Sequence, residues 1–207
     1  TTGNYPGRAR NIDEVRADLE KVMSLLPGKQ RINLHEIYGD FGASFVDRDQ
    51  VGIEHFKSWM DWADEQKVNL DFNSSSFSHP KSGNHSLSST DEGIRQFWIE
   101  HTKRCRHIAN EFGKHQGSPC YMNLWIHDGS KDATVNRMKY RELFADSLDQ
   151  IFAVEEPMMR TGLESKVFGI GLESYTVGSN EFCMGYATKH QQYLTINTGH
   201  YHTTEVD

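Results

Sequence analysis

The chain has 207 residues, 36% hydrophobic and 25% charged, which is enough for one buried core and too few for two large domains. Lys and Arg total 22 against 29 Asp and Glu, a formal charge of −7 that repels phosphate backbones and sets nucleic-acid binding aside. No apolar run approaches the roughly 18–20 residues that span a bilayer, no signal-peptide pattern opens at Thr1, and Cys105, Cys120 and Cys183 suggest neither a disulfide framework nor a zinc site. A soluble chain with no membrane partner and a cytoplasmic location is expected.

Helix and strand patterns alternate along the chain. Asn11–Leu26 reads as a helix with Ile12, Val15, Leu19, Val22 and Met23 at three- and four-residue spacing. Asn11 and Glu14 form a capping pair at its start, and Pro27-Gly28 stops it. The strand Arg31–His35 follows. Gln50–Gln66 places Phe56, Trp59, Met60 and Ala63 on one helical face, and Val68–Phe72 reads as the next strand. A long loop rich in Ser runs from Asn73 to Thr90, and loops after a strand's C-terminus commonly shape a substrate site. Thr90 is expected to cap a helix striped by Ile94, Phe97, Trp98, His101, Cys105, Ile108 and Phe112, followed by the strand Cys120–Ile126. A helix carrying Leu143, Phe144, Leu148, Ile151 and Phe152 leads to a strand around Leu163–Val167. A last helix around Glu181–His190 leads to the strand Tyr193–Asn197.

Five strands separated by helices predict a parallel α/β architecture. The open dinucleotide-binding sheet would show a Gly-rich turn after its first strand, and none is present. Polar residues instead mark the predicted C-terminal strand ends: His35, Asn73, Trp125 with Asp128, Lys166 and His200. That pattern fits the active-site face of a (β/α)8 TIM barrel. A complete barrel has eight strands in about 250 residues, so residues 1–207 are expected to form a partial barrel, a single catalytic domain of about five βα units.

Three segments carry chemistry. In Thr195–His202, a strand continued through the segment would turn His200 and His202 to one side, where imidazoles could face a metal. In Leu163-Glu164-Ser165-Lys166, the carboxylate and ammonium would point the same way, as a salt bridge or as a metal ligand beside a group that polarises a substrate oxygen. In Met122–Gly129, Trp125 could stack on a sugar's C–H face and Asp128 accept its hydroxyls, although a core Trp before an Asp-Gly turn reads equally well. His35 carries the same ambiguity between a core histidine and a site residue. No Gly-x-Ser-x-Gly elbow, His-Glu-x-x-His or phosphate loop is present, which removes serine hydrolases, zinc metalloproteases and P-loop enzymes.

Taken together, Thr2–Gly7, Leu70–Asn73, Phe77–Pro80, Ile94–Trp98, Glu164–Lys166 and Glu173–Phe182 resemble bacterial L-rhamnose isomerase, and the likeness runs from Thr1 to Val206. The resemblance implies a TIM-barrel aldose–ketose isomerase, an intramolecular oxidoreductase that interconverts L-rhamnose and L-rhamnulose. It implies two divalent metals per subunit, commonly Mn2+ with Mn2+ or Zn2+ at the second site, and a homotetramer. Carried onto this chain, it makes His200 a ligand of the catalytic metal and Glu164 a ligand of the second, with Asn197 where the family usually shows Asp. Lys166, Trp125, Asp128 and His35 match positions that line the sugar, with Lys166 and Asp128 in the catalytic role. His127 and Thr203 stand where proline is expected. The resemblance also implies that further strands and ligands lie outside these residues, so the 207 residues alone are expected to be inactive. A truncated non-catalytic chain and another divalent-metal sugar isomerase or epimerase barrel are the alternatives.

Overall fold

The computed structural model describes residues 6–131, 134–166 and 175–200. Helix α1 spans Ile12–Leu25, and the Asn11 side chain accepts from the Glu14 amide at 2.9 Å, as its capping pattern predicts. Strand β1 (Arg31–His35) follows. The helix expected from Gln50 is shorter: two 3₁₀ turns, Arg48–Gln50 and Ile53–Phe56, precede α2 at Lys57–Gln66. Gly52, in an extended conformation, separates those turns, and a glycine there favours a break over a continuous helix. Lys67 closes α2 in the left-handed region at φ 57°.

Strand β2 (Asn69–Ser74) is followed by the long loop and by α3 (Glu92–His115). Asp91, not Thr90, caps α3; its carboxylate accepts from the Ile94 amide at 3.1 Å, the reach a cap needs. Strand β3 (Cys120–Leu124) ends two residues earlier than its apolar run predicts. Then come β4 (Gly129–Ser130), α4 (Arg137–Phe152), β5 (Met159–Glu164), β6 (Tyr175–Thr176), α5 (Asn180–His190) and β7 (Tyr193–Thr195).

Strands β1, β2, β3, β5 and β7 form one sheet in that order, every pairing parallel. Neighbouring strands that follow chain order are what short helical crossovers produce. An antiparallel pair that periodicity does not reveal, β4 with β6, sits beyond the sheet, Gly129 opposite Thr176 and Ser130 opposite Tyr175. Its strands have two residues each, too short for an alternation to register.

The sheet has two unlike faces. Leu34, Leu70, Phe72, Cys120, Met122 and Met159 point toward Trp59, Trp62, Ile108 and Phe112, with α1 contributing Ile12, Val15, Leu19 and Met23. Leu124 and Leu163 continue that face toward Phe144, Leu148, Ile151, Cys183 and Tyr186. The five α-helices among the described residues therefore cover one side. The alternate residues, among them Asn33, Asp71, Asn123 and Glu164, line an open polar groove of about 650 Å³ on the other side. Among the described residues β1 and β7 are edge strands, so what is observed is a five-stranded parallel α/β sheet.

At the end of α3, the helix approaches the chain entering β5 without room for a side chain. A Cβ on Gly113 would lie 1.8 Å from the Met158 carbonyl oxygen, which itself accepts from the Cys120 amide at 3.0 Å. Gly113→Ala should therefore lower stability by about 2–3 kcal/mol through overpacking, read as a reduced urea midpoint with an unchanged slope.

Candidate functional site

Because the strands are parallel and in register, their C-terminal ends meet on one rim. Asn73 of β2 is paired with Asn123 of β3 in the sheet register. Glu164 closes β5, and its carboxylate accepts from the amide groups of Asn123 and Asn197, the latter at 2.7 Å. His200 Nδ1 lies 3.2 Å from the same carboxylate and 3.0 Å from the Ser165 carbonyl. Glu164, Asn197 and His200 are thus brought together, from β5 and the turn after β7.

The route to this grouping differs from the expected one. The last strand ends at Thr195, and His200 sits on a 3₁₀ turn, Thr198–His200, so strand alternation does not orient it. His202 lies outside the described residues. The strand carrying Glu164 likewise ends at that residue, one turn of pleat before Lys166. The Lys166 ammonium donates to the His127 carbonyl at 2.9 Å and lies 6.0 Å from the centroid of the Trp125 ring.

Trp125 is the hub of an aromatic wall. Its ring stands edge-on to Phe77 at 5.6 Å and tilted to His200 at 6.5 Å, and Phe77 meets His35 at 6.0 Å. His35, Trp125, Lys166, His200, Glu164 and Asn197 therefore form one connected group across all the main strands except β2, which contributes Phe77 through its following loop. Several buried polar atoms near these strand ends have no hydrogen-bond partner among the described residues: Asn73 Oδ1, Asn123 Oδ1, Trp125 Nε1 and Ser165 Oγ. Buried polar atoms are ordinarily paired, so these are atoms that a polar ligand could satisfy.

Asp128 has a different geometry. It is fully buried, and its carboxylate accepts from the amides of Ser86 and Ser88 at 2.7 and 2.9 Å and from both hydroxyls. Four donors occupy both oxygens, so in this structure the side chain anchors the loop 75–90 where a sugar contact was expected. The turn Gly129–Ser130 and the loop's Asn84 carbonyl, which accepts from the Gly129 amide at 3.0 Å, reinforce that anchor.

Glu36, Asn123 and Phe77 have places in this region that residue-level reading did not assign. Phe77 was legible only inside the word Phe77-Ser78-His79-Pro80; Glu36 and Asn123 carried no pattern signal. Glu36 is fully buried, its carboxylate contacting Arg48, the Ser75 hydroxyl at 2.8 Å and His35 Nδ1 at 2.7 Å. Burial pushes the Glu36 carboxyl up, but the His35 contact and the charges of His35, His101 and Arg48 outweigh it and hold the group below its ordinary value.

With this geometry in place, comparison with known proteins is informative. A family model described as L-rhamnose isomerase matches residues 1–207. The chain belongs to the L-rhamnose isomerase family. A relative named L-rhamnose isomerase from Bacteroides thetaiotaomicron is 68% identical over 204 residues, covering 99% of this chain and 49% of the relative. One from Rhodopirellula baltica is 54% identical over 207 residues, covering 99% and 48%. The chain thus spans about half the length of the L-rhamnose isomerases it matches. Among solved structures, a 3-keto-D-glucoside 4-epimerase from E. coli superposes with a TM-score of 0.52 at 11% identity, covering 91% of this chain and 62% of that one. A D-allulose 3-epimerase from Methylomonas sp. gives 0.50 at 10%, covering 80% and 60%. At such identities the likeness concerns the fold alone.

Two predictions follow the buried carboxylates of this L-rhamnose isomerase family member. Asp128→Asn puts an amide donor against the Ser86 and Ser88 donors, so amide exchange should accelerate across residues 84–90 with at least about 2 kcal/mol of protection lost. Unchanged exchange with lost turnover would return Asp128 to the catalytic role. For Glu36, whose native carboxyl titrates below its unfolded value, the stabilisation is fully present above the ordinary carboxylate range and is lost as pH falls through the depressed native value. Stability measured against pH should therefore fall on the acid side more steeply for the unsubstituted protein than for Glu36→Gln.

Proposed function

We propose that this chain is part of a TIM-barrel L-rhamnose isomerase that interconverts L-rhamnose and L-rhamnulose, with the sugar bound on the rim formed by the C-terminal strand ends. The observation that carries this reading is the convergence of Trp125, His35, Lys166, Glu164 and His200 on one rim, together with unpaired buried polar atoms, in a chain of this family. The polar sheet face supports the barrel, since a face carrying Asn33, Asp71, Asn123 and Glu164 suits a lumen better than a helix layer.

In this reading Trp125 and Phe77 present ring surfaces to the sugar's C–H groups, and the unpaired Trp125 indole N–H donates to a hydroxyl. The side-chain oxygens of Asn73 and Asn123 accept hydroxyl protons. Lys166, held against the Trp125 ring, brings a positive charge toward the oxygens at C1 and C2, where charge develops as hydrogen shifts between the carbons. Burial of these groups limits water at the reacting carbons.

The donor set also fits a divalent cation. Glu164 and His200 offer a carboxylate and an imidazole within 3.2 Å of each other, and the Ser165 carbonyl next to His200 Nδ1 holds that nitrogen as the donor, leaving Nε2 to ligate. Asn197 turns its amide NH2 toward Glu164, so its oxygen would serve as a neutral ligand only with the amide reversed. Among the described residues no three His, Cys, Asp or Glu side chains converge, so further ligands would come from elsewhere in the protein. When bound, such an ion supplies polarisation of the sugar's C1 and C2 oxygens. Manganese as the ion, zinc or manganese at a second site, a homotetramer and a cytoplasmic location belong to this same proposal; among the described residues no helix is long and apolar enough to cross a membrane.

The test is an assay of the full-length protein with added manganese on L-rhamnose, L-lyxose, L-mannose and L-xylose. L-rhamnose should be preferred, a chelator should remove turnover, and Glu164→Gln and His200→Asn should each lower kcat by at least about 100-fold with the fold retained. Trp125→Ala should raise KM about tenfold or more, as expected from losing a stacking surface of about 1–3 kcal/mol. Turnover of another aldose in preference to L-rhamnose, or full activity of both metal-ligand variants, would refute the reading.

A further inference from the structure

We infer that Glu36 is a positioning residue for His35: it holds the ring through Nδ1–H and so presents Nε2 to the sugar as a hydrogen-bond acceptor. The inference rests on the isomerase reading above, in which His35 lines the sugar site. Glu36 is the first residue after β1, in the 3₁₀ turn Glu36–Tyr38, and none of its side chain is exposed. A carboxylate so deep is costly unless each oxygen is compensated. Oε1 is compensated by Arg48 and by the Ser75 hydroxyl at 2.8 Å. Oε2 and His35 Nδ1 lie 2.7 Å apart with the ring turned outside hydrogen-bond angles, and neither atom has a hydrogen-bond partner among the described residues, so each is the only group offered to the other.

An ionised carboxylate can only accept, so a nitrogen 2.7 Å away carries the proton. In the neutral imidazole the other nitrogen is then the acceptor. The side chain of His35 keeps a fifth of its surface exposed and its ring stands 6.0 Å from Phe77, which leaves the ring accessible beside the aromatic wall. His101 of α3 braces the far side of the carboxylate. Its nitrogens lie 2.9 Å from the Arg48 carbonyl and 3.1 Å from the Ser75 carbonyl, the two residues that hold Oε1, and Cys105 packs 3.7 Å behind it. An arrangement that spends a buried acid, an arginine and a second histidine on one ring nitrogen specifies orientation; a histidine needed only for bulk would not require it.

The full-length protein, labelled with 15N-histidine, tests this directly, with His35→Asn identifying the resonance. The unsubstituted protein should show His35 protonated at Nδ1 with Nε2 bare, and Glu36→Gln should shift or split that signal. In steady-state kinetics on L-rhamnose, Glu36→Gln should raise KM about tenfold with kcat within about twofold, and it should add nothing further in a His35→Asn background. An Nε2–H tautomer in the unsubstituted protein overturns the inference, and that measurement stands even where Glu36→Gln fails to fold. Additive losses in the double variant also overturn it, because they would show that Glu36 acts independently of His35. A protein with the Nδ1–H tautomer that leaves L-rhamnose unchanged overturns the isomerase reading, and with it the sugar as the partner of Nε2, while the pairing of the two side chains stands.

Discussion

Parallel pairing in chain order sets each strand's C-terminal end beside those of its neighbours, and the rest of this molecule depends on that register. From Arg31↔Asn69 to Glu164↔Thr195 the pairing never reverses or skips. Residues as distant in sequence as His35 and His200 are thereby carried to one rim. The same register turns alternate side chains to the same face in every strand, which is why Leu34, Phe72, Met122 and Leu163 all lie on the helix-covered face, in two apolar clusters, while Asn33, Asp71, Asn123 and Glu164 share the opposite side.

Three carboxylates near that rim are buried or nearly so, and the chemistry of their partners separates their tasks. Asp128 receives only neutral N–H and O–H donors from one loop, which suits an anchor: the loop is fixed, and both oxygens are used. Glu36 is met by an arginine, which compensates its charge, and its second oxygen lies against one ring nitrogen of His35. Glu164 is held by two amides that satisfy its oxygens without cancelling its charge, beside an imidazole. Only the last arrangement leaves a carboxylate on the open side of the sheet with no cationic partner fixed to it, the group a cation would find.

The loop between β2 and α3 joins these parts. It supplies Phe77 to the aromatic wall, Ser75 to Glu36, and Ser86 and Ser88 to Asp128. The Trp98 indole donates to the Lys81 carbonyl at 3.1 Å and fastens its middle to α3. A segment so rich in serine would be costly to order by apolar burial alone, and its order here comes from hydrogen bonds to buried groups.

The sequence by itself determined the parallel α/β class, the five main strands with their helices, the cap at Asn11 and the family, because these rest on local periodicity, turn residues and words that survive without tertiary context. It also placed His35, Trp125, Lys166 and His200 near strand ends, since end position follows from where an apolar run stops. It misplaced what depends on where a strand or helix gives way to a neighbour. The break before α2 has a local cause in Gly52, but the end of β7 at Thr195 and the 3₁₀ turn bearing His200 are decided by packing and hydrogen bonds that no window of residues contains. Only the tertiary structure could turn Asp128 toward the serines of a loop 40 residues away, set Asn123 on Glu164 and bury Glu36 against His35. Long-range polar pairs carry no periodicity; their partners are chosen by which donors the fold leaves facing a buried acceptor.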